Sequence, residues 1–315
     1  MDKKEASSET LDFPIVLIVF NRPDLIKEML SQIKLAQPKK LYVIADAPRV
    51  NNEVDKLLCQ KVRAIIDAFE FEGEIVECYR SENLGCKKNI ETGLDWFFTQ
   101  EDAGIILEDD CLPSIDFFRF CAEMLIKYRD NPNIFSITGN NFQNSKIRGQ
   151  GSYYVSKYMH CWGWATWRRA WKFYDGNLSF WPEWKESLEY KKIHSSRVEK
   201  KYWDNIFESV FLKKKDSWAY AWLASSWYYG GNTLTPNVNL VSNLGFDSAA
   251  TNTKLKNGLD GIKTHLMSEK IVDPINLTPD IVADKYVFSN VFRMSVFKRL
   301  NNRLLFYLNN FIKHV

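Results

Sequence analysis

Three consecutive acids, Glu108, Asp109 and Asp110, close the apolar run Gly104–Leu107. Adjacent carboxylates repel each other unless a cation or solvent compensates. A divalent ion that prefers oxygen is the natural compensator, and it can bridge to a diphosphate. A bare acidic triplet also suits a solvated turn, but its place after a buried-type strand points to metal and phosphate. A Walker B acid ends an apolar strand too. No GxxxxGKS/T loop occurs in the chain, however, so a P-loop nucleotidase would lack its phosphate cradle.

Other chemistry-bearing residues lie at similar points. Arg22 precedes Pro23 at a helix start, where the macrodipole disfavours a cation and an anionic ligand would remove the conflict; otherwise it is a surface arginine. Asp46, in Asp-Ala-Pro, either organises a turn or accepts the N–H of a pyrimidine base. Asn83 and Lys87 flank Gly85, as phosphate-side groups or as the loop leading into a helix. Trp164, Trp167 and Trp171 share helical spacing, as core or as a ligand platform; Trp162 and Trp164 beside Gly163 are the pair better placed to face a sugar. Asp216, between Lys213–Lys215 and Trp218, reads as a helix N-cap or a catalytic carboxylate.

The elements that must position these groups alternate. Strand-like runs at 14–20, 40–46, 73–79, 104–108 and 133–139 are separated by helical patterns at 23–35, 52–69, 86–98 and 114–129, the last with Ser114 as N-cap. Strands apolar on both faces between helices predict an α/β fold with a mostly parallel, Rossmann-like sheet. Ligands of such sheets bind at the carboxyl ends of the strands, where the strand order reverses. Arg22, Asp46, Asn83, Lys87 and Glu108–Asp110 all follow strands. Beyond residue 150 the chain turns Trp-rich, with helical segments expected at 162–175, 180–190, 196–213 and 217–228, then a turn, short strand and loop over 230–246. The expected organisation is a ligand-binding half over 1–150, a second half over 151–262 and a C-terminal extension over 263–315. From Lys285 every charged residue is basic, and Phe292, Val296, Leu300, Leu304, Leu308 and Phe311 recur at helical spacing, predicting a basic amphipathic helix.

Composition sets the outer bounds. The 315 residues carry 42 Lys+Arg against 39 Asp+Glu, a formal charge of +3, which argues against a nucleic-acid binder. Hydrophobic residues at 45% and charged residues at 26% exclude a disordered chain. Six cysteines include no CxxC pair and no two of the four histidines have ligand spacing, so a metal would be held by oxygen, which favours Mg2+ or Mn2+. The polar N-terminus lacks the apolar stretch of a signal peptide, and the run 14–20 is too short to span a bilayer. The expected location is the cytoplasm.

The ordered set FNRP (20–23), YVIAD (42–46), SENLG (81–85), ILEDD (106–110), CWGWATW (161–167), DSWAYAW (216–222) and PNVNLVSNLGF (236–246) resembles GT-A-fold glycosyltransferases. More narrowly, it resembles the bacterial family 2 or hemolysin-like relatives of N-acetylglucosaminyltransferase I, over roughly residues 13–285. The resemblance implies an inverting, metal-dependent transferase that moves a sugar from a nucleotide-sugar, a UDP-sugar, to a hydroxyl of a glycan or lipid-linked acceptor in surface polysaccharide synthesis. Arg22 would meet the nucleotide or diphosphate, Asp46 the base, Glu108 the donor sugar and Asp109 the ribose. Asp110 would bind the metal, and Trp164 would line the sugar pocket. Several relatives carry Asp where this chain has Ala219, which leaves Asp216 as the nearest general base, with Asp204 and Asp247 behind it. Attachment of the basic tail at the inner face of the cell membrane would suit a lipid-linked acceptor. The alternatives are a nucleotidyltransferase, which would carry a Gly-rich, Lys-bearing loop after the first strand, and a nucleotide-sugar-binding module without turnover.

Overall fold

The computed structural model describes residues 11–245 and 262–293. Asp247 and most of the basic tail, from residue 294, lie outside the described residues. Ile15–Val19 forms β1, with all five side chains buried. It pairs in parallel with β2 (Lys40–Ala45) on one side and β4 (Ala103–Glu108) on the other; β3 (Glu74–Tyr79) joins β2 in parallel. A strand apolar on both sides needs cover on both sides. Ile15, Leu17 and Val19 face a core with α1 (Pro23–Ala36) and α2 (Glu53–Asp67), whereas Val16 and Ile18 face a second core with α3 (Cys86–Gln100). The alternation of buried residues along β1 thus sorts its side chains between two helical layers.

After β4 come β5 (Cys111–Pro113), α4 (Ile115–Lys127), β6 (Ile134–Thr138) and β7 (Tyr153–Ser156). Ser114 stands at the N-cap of α4 as expected, but its hydroxyl makes no capping bond. The eight-stranded sheet runs β3-β2-β1-β4-β8-β6-β9-β7, where β8 is Trp164–Trp167 and β9 is Asn232–Pro236. It is the mostly parallel α/β sheet flanked by helices that the sequence predicts, with β8 and β7 reversed. Strands from both sides of residue 150 pair directly, so the change in composition falls inside one sheet. A separate antiparallel ribbon joins β5 to β10 (Val241–Asn243), with Asn243 opposite Cys111.

The expected helix over 162–175 is corrected to β8 followed by the short α5 (Arg168–Trp171). The three-residue spacing of Trp164 and Trp167 imitates a helical stripe. In the sheet it puts them on opposite faces: Trp164 packs in the core with α3, and Trp167 in the core with α1 and α4. Beyond it lie α6 (Trp181–Trp184), α7 (Leu188–Ile193), α8 (Arg197–Phe211) and α9 (Trp218–Tyr228), which extend the cover on the α3 side. α9 is buried over most of its length and brings Trp218 and Trp222 beneath the sheet. Residues 272–280 then follow the edge strand β7, with Ser152 N–H donating to Val272 O at 2.7 Å and Asp280 N–H to Val155 O at 2.8 Å. Covering an edge this way removes a template for strand addition. The described chain closes with α10 (Ile281–Val287) and a π-helical turn, Phe288–Phe292.

Candidate active site

The strand order reverses between β1 and β4, and the registered pair Ile18–Glu108 sets the ends of both strands side by side. Arg22 follows β1 across the short Phe20–Asn21 link and stands at the N-cap of α1. Its Nη1 donates to Asp109 Oδ1 at 3.0 Å and to Asp110 Oδ2 at 2.6 Å. The conflict between an arginine and a helix N-terminus is therefore relieved from within the chain. Asp109 also accepts from the Phe20 N–H at 3.2 Å, which ties the two strand ends together.

Three acids share this one guanidinium. Burial, then repulsion from Asp110 and Asp109, pushes Glu108 up to about 8, with Arg22 opposing. Burial lifts Asp109 to about 6 against the pull of Arg22. Glu108 accepts no hydrogen bond from a described residue and remains partly open to solvent. Asp110 is held most tightly: Oδ1 accepts from Asn243 Nδ2 at 3.3 Å and from the Cys111 thiol at 3.2 Å, while Oδ2 takes Arg22.

On the α3 side of the sheet the N-termini of two helices meet the acids. Cys86 opens α3; although the residue is exposed, its thiol is raised, first by desolvation among its neighbours and then by Glu108, Asp216, Asp109 and Asp110 in that order. α9 packs against α3, and the charges of the three acids and of Asp216 all act on this thiol. Asp216 is exposed there. The cap of α9 is Ser217, whose hydroxyl accepts from Tyr220 N–H at 3.4 Å, so Asp216 stands one residue outside it.

The remaining sequence-predicted residues have structural partners. Asp46 is buried and its carboxylate accepts four hydrogen bonds: Ala47 N–H and Leu84 N–H at 2.9 Å on Oδ1, Asn83 Nδ2 at 3.1 Å and Gly85 N–H at 2.9 Å on Oδ2. That saturates a carboxylate. Asn83 further donates to Ala47 O at 2.6 Å, so Asp46 and Asn83 together brace the loop after β3 against the end of β2. Lys87 reaches Gly176 O at 2.7 Å and Glu91 at 3.7 Å, away from the acids. Trp164 presents no surface to solvent; its ring stacks on Trp218 at 5.5 Å. Asp204 is paired with Lys200 on α8 at 2.9 Å.

Two participants escaped sequence reasoning, Asn243 and Gly245. The chain passes Asp110 so closely at Gly245 that a Cβ there would lie 2.1 Å from Asp110 Oδ2. Both lie in the segment PNVNLVSNLGF (236–246) that contributes to the family resemblance, but nothing in that segment assigns either of them a role.

A hard divalent cation suits this donor set in chemistry: the acids supply oxygen, and three carboxylates against one guanidinium leave excess negative charge. Among the described residues no three His, Cys, Asp or Glu groups converge to hold an ion by themselves. The fit is to an ion that arrives with its own oxygen ligands, as Mg2+ does with phosphates.

No family model and no curated protein sequence matches the chain. Among solved structures it is similar to a mannosyltransferase from Pyrobaculum calidifontis in complex with GDP-Man and Mn2+ (TM-score 0.33, 15% identity), over 50% of this chain and 45% of that one. It is similar to 4-diphosphocytidyl-2C-methyl-D-erythritol synthase from Anaerococcus prevotii (TM-score 0.33, 12% identity), over 56% of this chain and 78% of that one. A UDP-glucose pyrophosphorylase complexed with UDP-glucose matches at TM-score 0.30 and 8% identity, over 51% of this chain and 78% of that one. The chain spans less than half the length of the mannosyltransferase.

Proposed function

We propose that the protein is an inverting, metal-dependent glycosyltransferase that takes its sugar from a nucleotide-sugar donor, a UDP-sugar. The observation that carries this reading is the meeting of Arg22, Glu108, Asp109 and Asp110 at the strand-order reversal; Asp216 stands at the start of α9, which packs against the helix α3. Asp110 would hold Mn2+ or Mg2+ together with the donor's diphosphate; the ion, when bound, supplies charge stabilisation to the leaving group. Arg22 turns its guanidinium toward the same diphosphate. Asp109, tied to Phe20 N–H, borders the ribose, and Glu108 the donor sugar. Asp46 and Asn83 shape the base pocket through the loop they brace.

An acceptor hydroxyl oxygen attacks the anomeric carbon as the bond from that carbon to the diphosphate oxygen breaks, its electron pair leaving on the phosphate. The hydroxyl proton passes to the Asp216 carboxylate, an effect worth about 10²–10⁴-fold. Trp164 has no exposed face in this reading. Its stack on Trp218 seats the N-terminus of α9, and with it Asp216.

The acceptor would be a hydroxyl of a glycan or lipid-linked carrier. No described helix is long and apolar enough to cross a membrane. Contact with an anionic membrane would rest on the basic tail, and equal sedimentation of full-length and tail-truncated protein with anionic liposomes would remove it. Product analysis tests the reading as a whole. A panel of nucleotide-sugars with Mn2+ should yield a nucleoside diphosphate and a glycosylated acceptor; release of pyrophosphate would identify a nucleotidyltransferase, and binding without product a non-catalytic module.

A further inference from the structure

We propose that Asn243 and Gly245 are positioning residues for Asp110, and that the turn they form is keyed to its carboxylate. The proposal rests on the reading of Asp110 as the group that meets metal and diphosphate. Asp110 sits where β4 gives way to β5, and the β5–β10 ribbon folds the chain back over it. Leu244 N–H donates to Asp110 O at 2.8 Å, extending the ladder by one residue. The buried Asn243 amide accepts from Gly245 N–H at 2.8 Å, so its other end must be the donor, and that end faces Asp110 Oδ1 at 3.3 Å. The root of the ribbon is fixed in turn: Val241 O accepts from Asn140 Nδ2 at 3.2 Å and from Asn239 Nδ2 at 2.8 Å.

Gly245 separates this account from that of a turn that merely ends β10. Its backbone lies outside the left-handed region, so no dihedral demands glycine there. What an added Cβ meets first is Asp110: Oδ2 at 2.1 Å, Cγ at 2.7 Å and Cβ at 2.9 Å. Arg22 bears on the same Oδ2, with Asn243 and Cys111 on Oδ1. The carboxylate is therefore confined on both oxygens and along its flank, as a ligand group must be when a fraction of an ångström decides its geometry.

A double-mutant cycle with two readouts tests this. Gly245→Ala should lower the melting temperature in the wild-type background and lower it clearly less in Asp110→Ala, where Oδ2 and Cγ are gone and only the Cβ contact at 2.9 Å stays; an equal loss in both backgrounds overturns the proposal. In calorimetry with UDP and Mn2+, Gly245→Ala should weaken binding about tenfold or more, and unchanged affinity overturns it. Asn243→Asp keeps an oxygen for Gly245 N–H but replaces the donor facing Asp110, so it guards against a Gly245 variant that does not fold. It should lose affinity in a folded protein, and wild-type binding by it also contradicts the proposal. Absence of binding by the wild-type protein would instead remove the reading of Asp110, while the melting-temperature cycle still decides the positioning claim.

Discussion

At Asp110 four protein groups bear on one carboxylate, whereas Glu108, two residues away, receives no hydrogen bond from any described residue. Under the proposed function that difference divides the acids by task, one held in place and one left for a ligand, and it has a pH signature. An acid whose value is raised keeps its proton in the native state after the unfolded chain has lost it. The native state then binds more protons, and stability falls as pH rises between about 4.5 and about 8 for Glu108. Glu108→Gln should flatten that slope and raise the melting temperature at about pH 8 while leaving it nearly unchanged at about pH 4; an unaltered slope would show that Glu108 ionises freely in the fold. Asp216→Asn should leave folding and donor affinity intact, because Ser217 performs the capping, and lower kcat about 100-fold or more. Turnover within a few-fold of wild type would pass the role of base to Asp204 or Asp247. The acids were legible because an apolar strand ending in three carboxylates is a local pattern. Asn243 and Gly245 were not, since their meaning depends on a ribbon that pairs residues more than a hundred positions apart.

Among the elements, the loop after β3 shows how one buried acid can replace a stretch of packing. Asp46 satisfies two backbone N–H groups of that loop and one amide of Asn83 from the end of β2. Asp46→Ala strips these donors of their acceptor and should cost about 3 kcal/mol of stability, read from a denaturant midpoint. A loss within a few tenths of a kcal/mol would show that the loop holds itself. The four parallel strands and their helices were readable as runs of Ile, Val and Leu bounded by turn residues, and their edges agree to within a residue or two. β5, β8 and β10 were hidden. They are three or four residues long, too short to display a period, and in β8 the tryptophan spacing suggested the wrong one.

At the scale of the whole molecule, the sheet is an assembly of two kinds of information. Its first strands are built from local alternation, whereas β8, β9 and β7 reach their places through long-range antiparallel and parallel pairing that no short window reveals. The helical layer of the second half packs its tryptophans against the sheet, with Trp171 and Trp222 ring centroids 5.3 Å apart and Trp164 stacked on Trp218. This aromatic core joins β8 to α9 and so couples the sheet that carries Glu108–Asp110 to the helix that follows Asp216. Residues 262–280 close the opposite edge, where Arg119 of α4 donates to Ser268 O and Glu269 O at 2.9 Å. The fold thereby presents its strand ends on one rim, with the acids and the guanidinium gathered there. The most direct test of that arrangement is calorimetric titration of the full chain with UDP in the presence of Mn2+, for the wild type and Asp110→Ala. Saturable binding by the wild type that disappears in the variant is the predicted result; equal affinity in the two, or no binding by either, would contradict the assignment of the site.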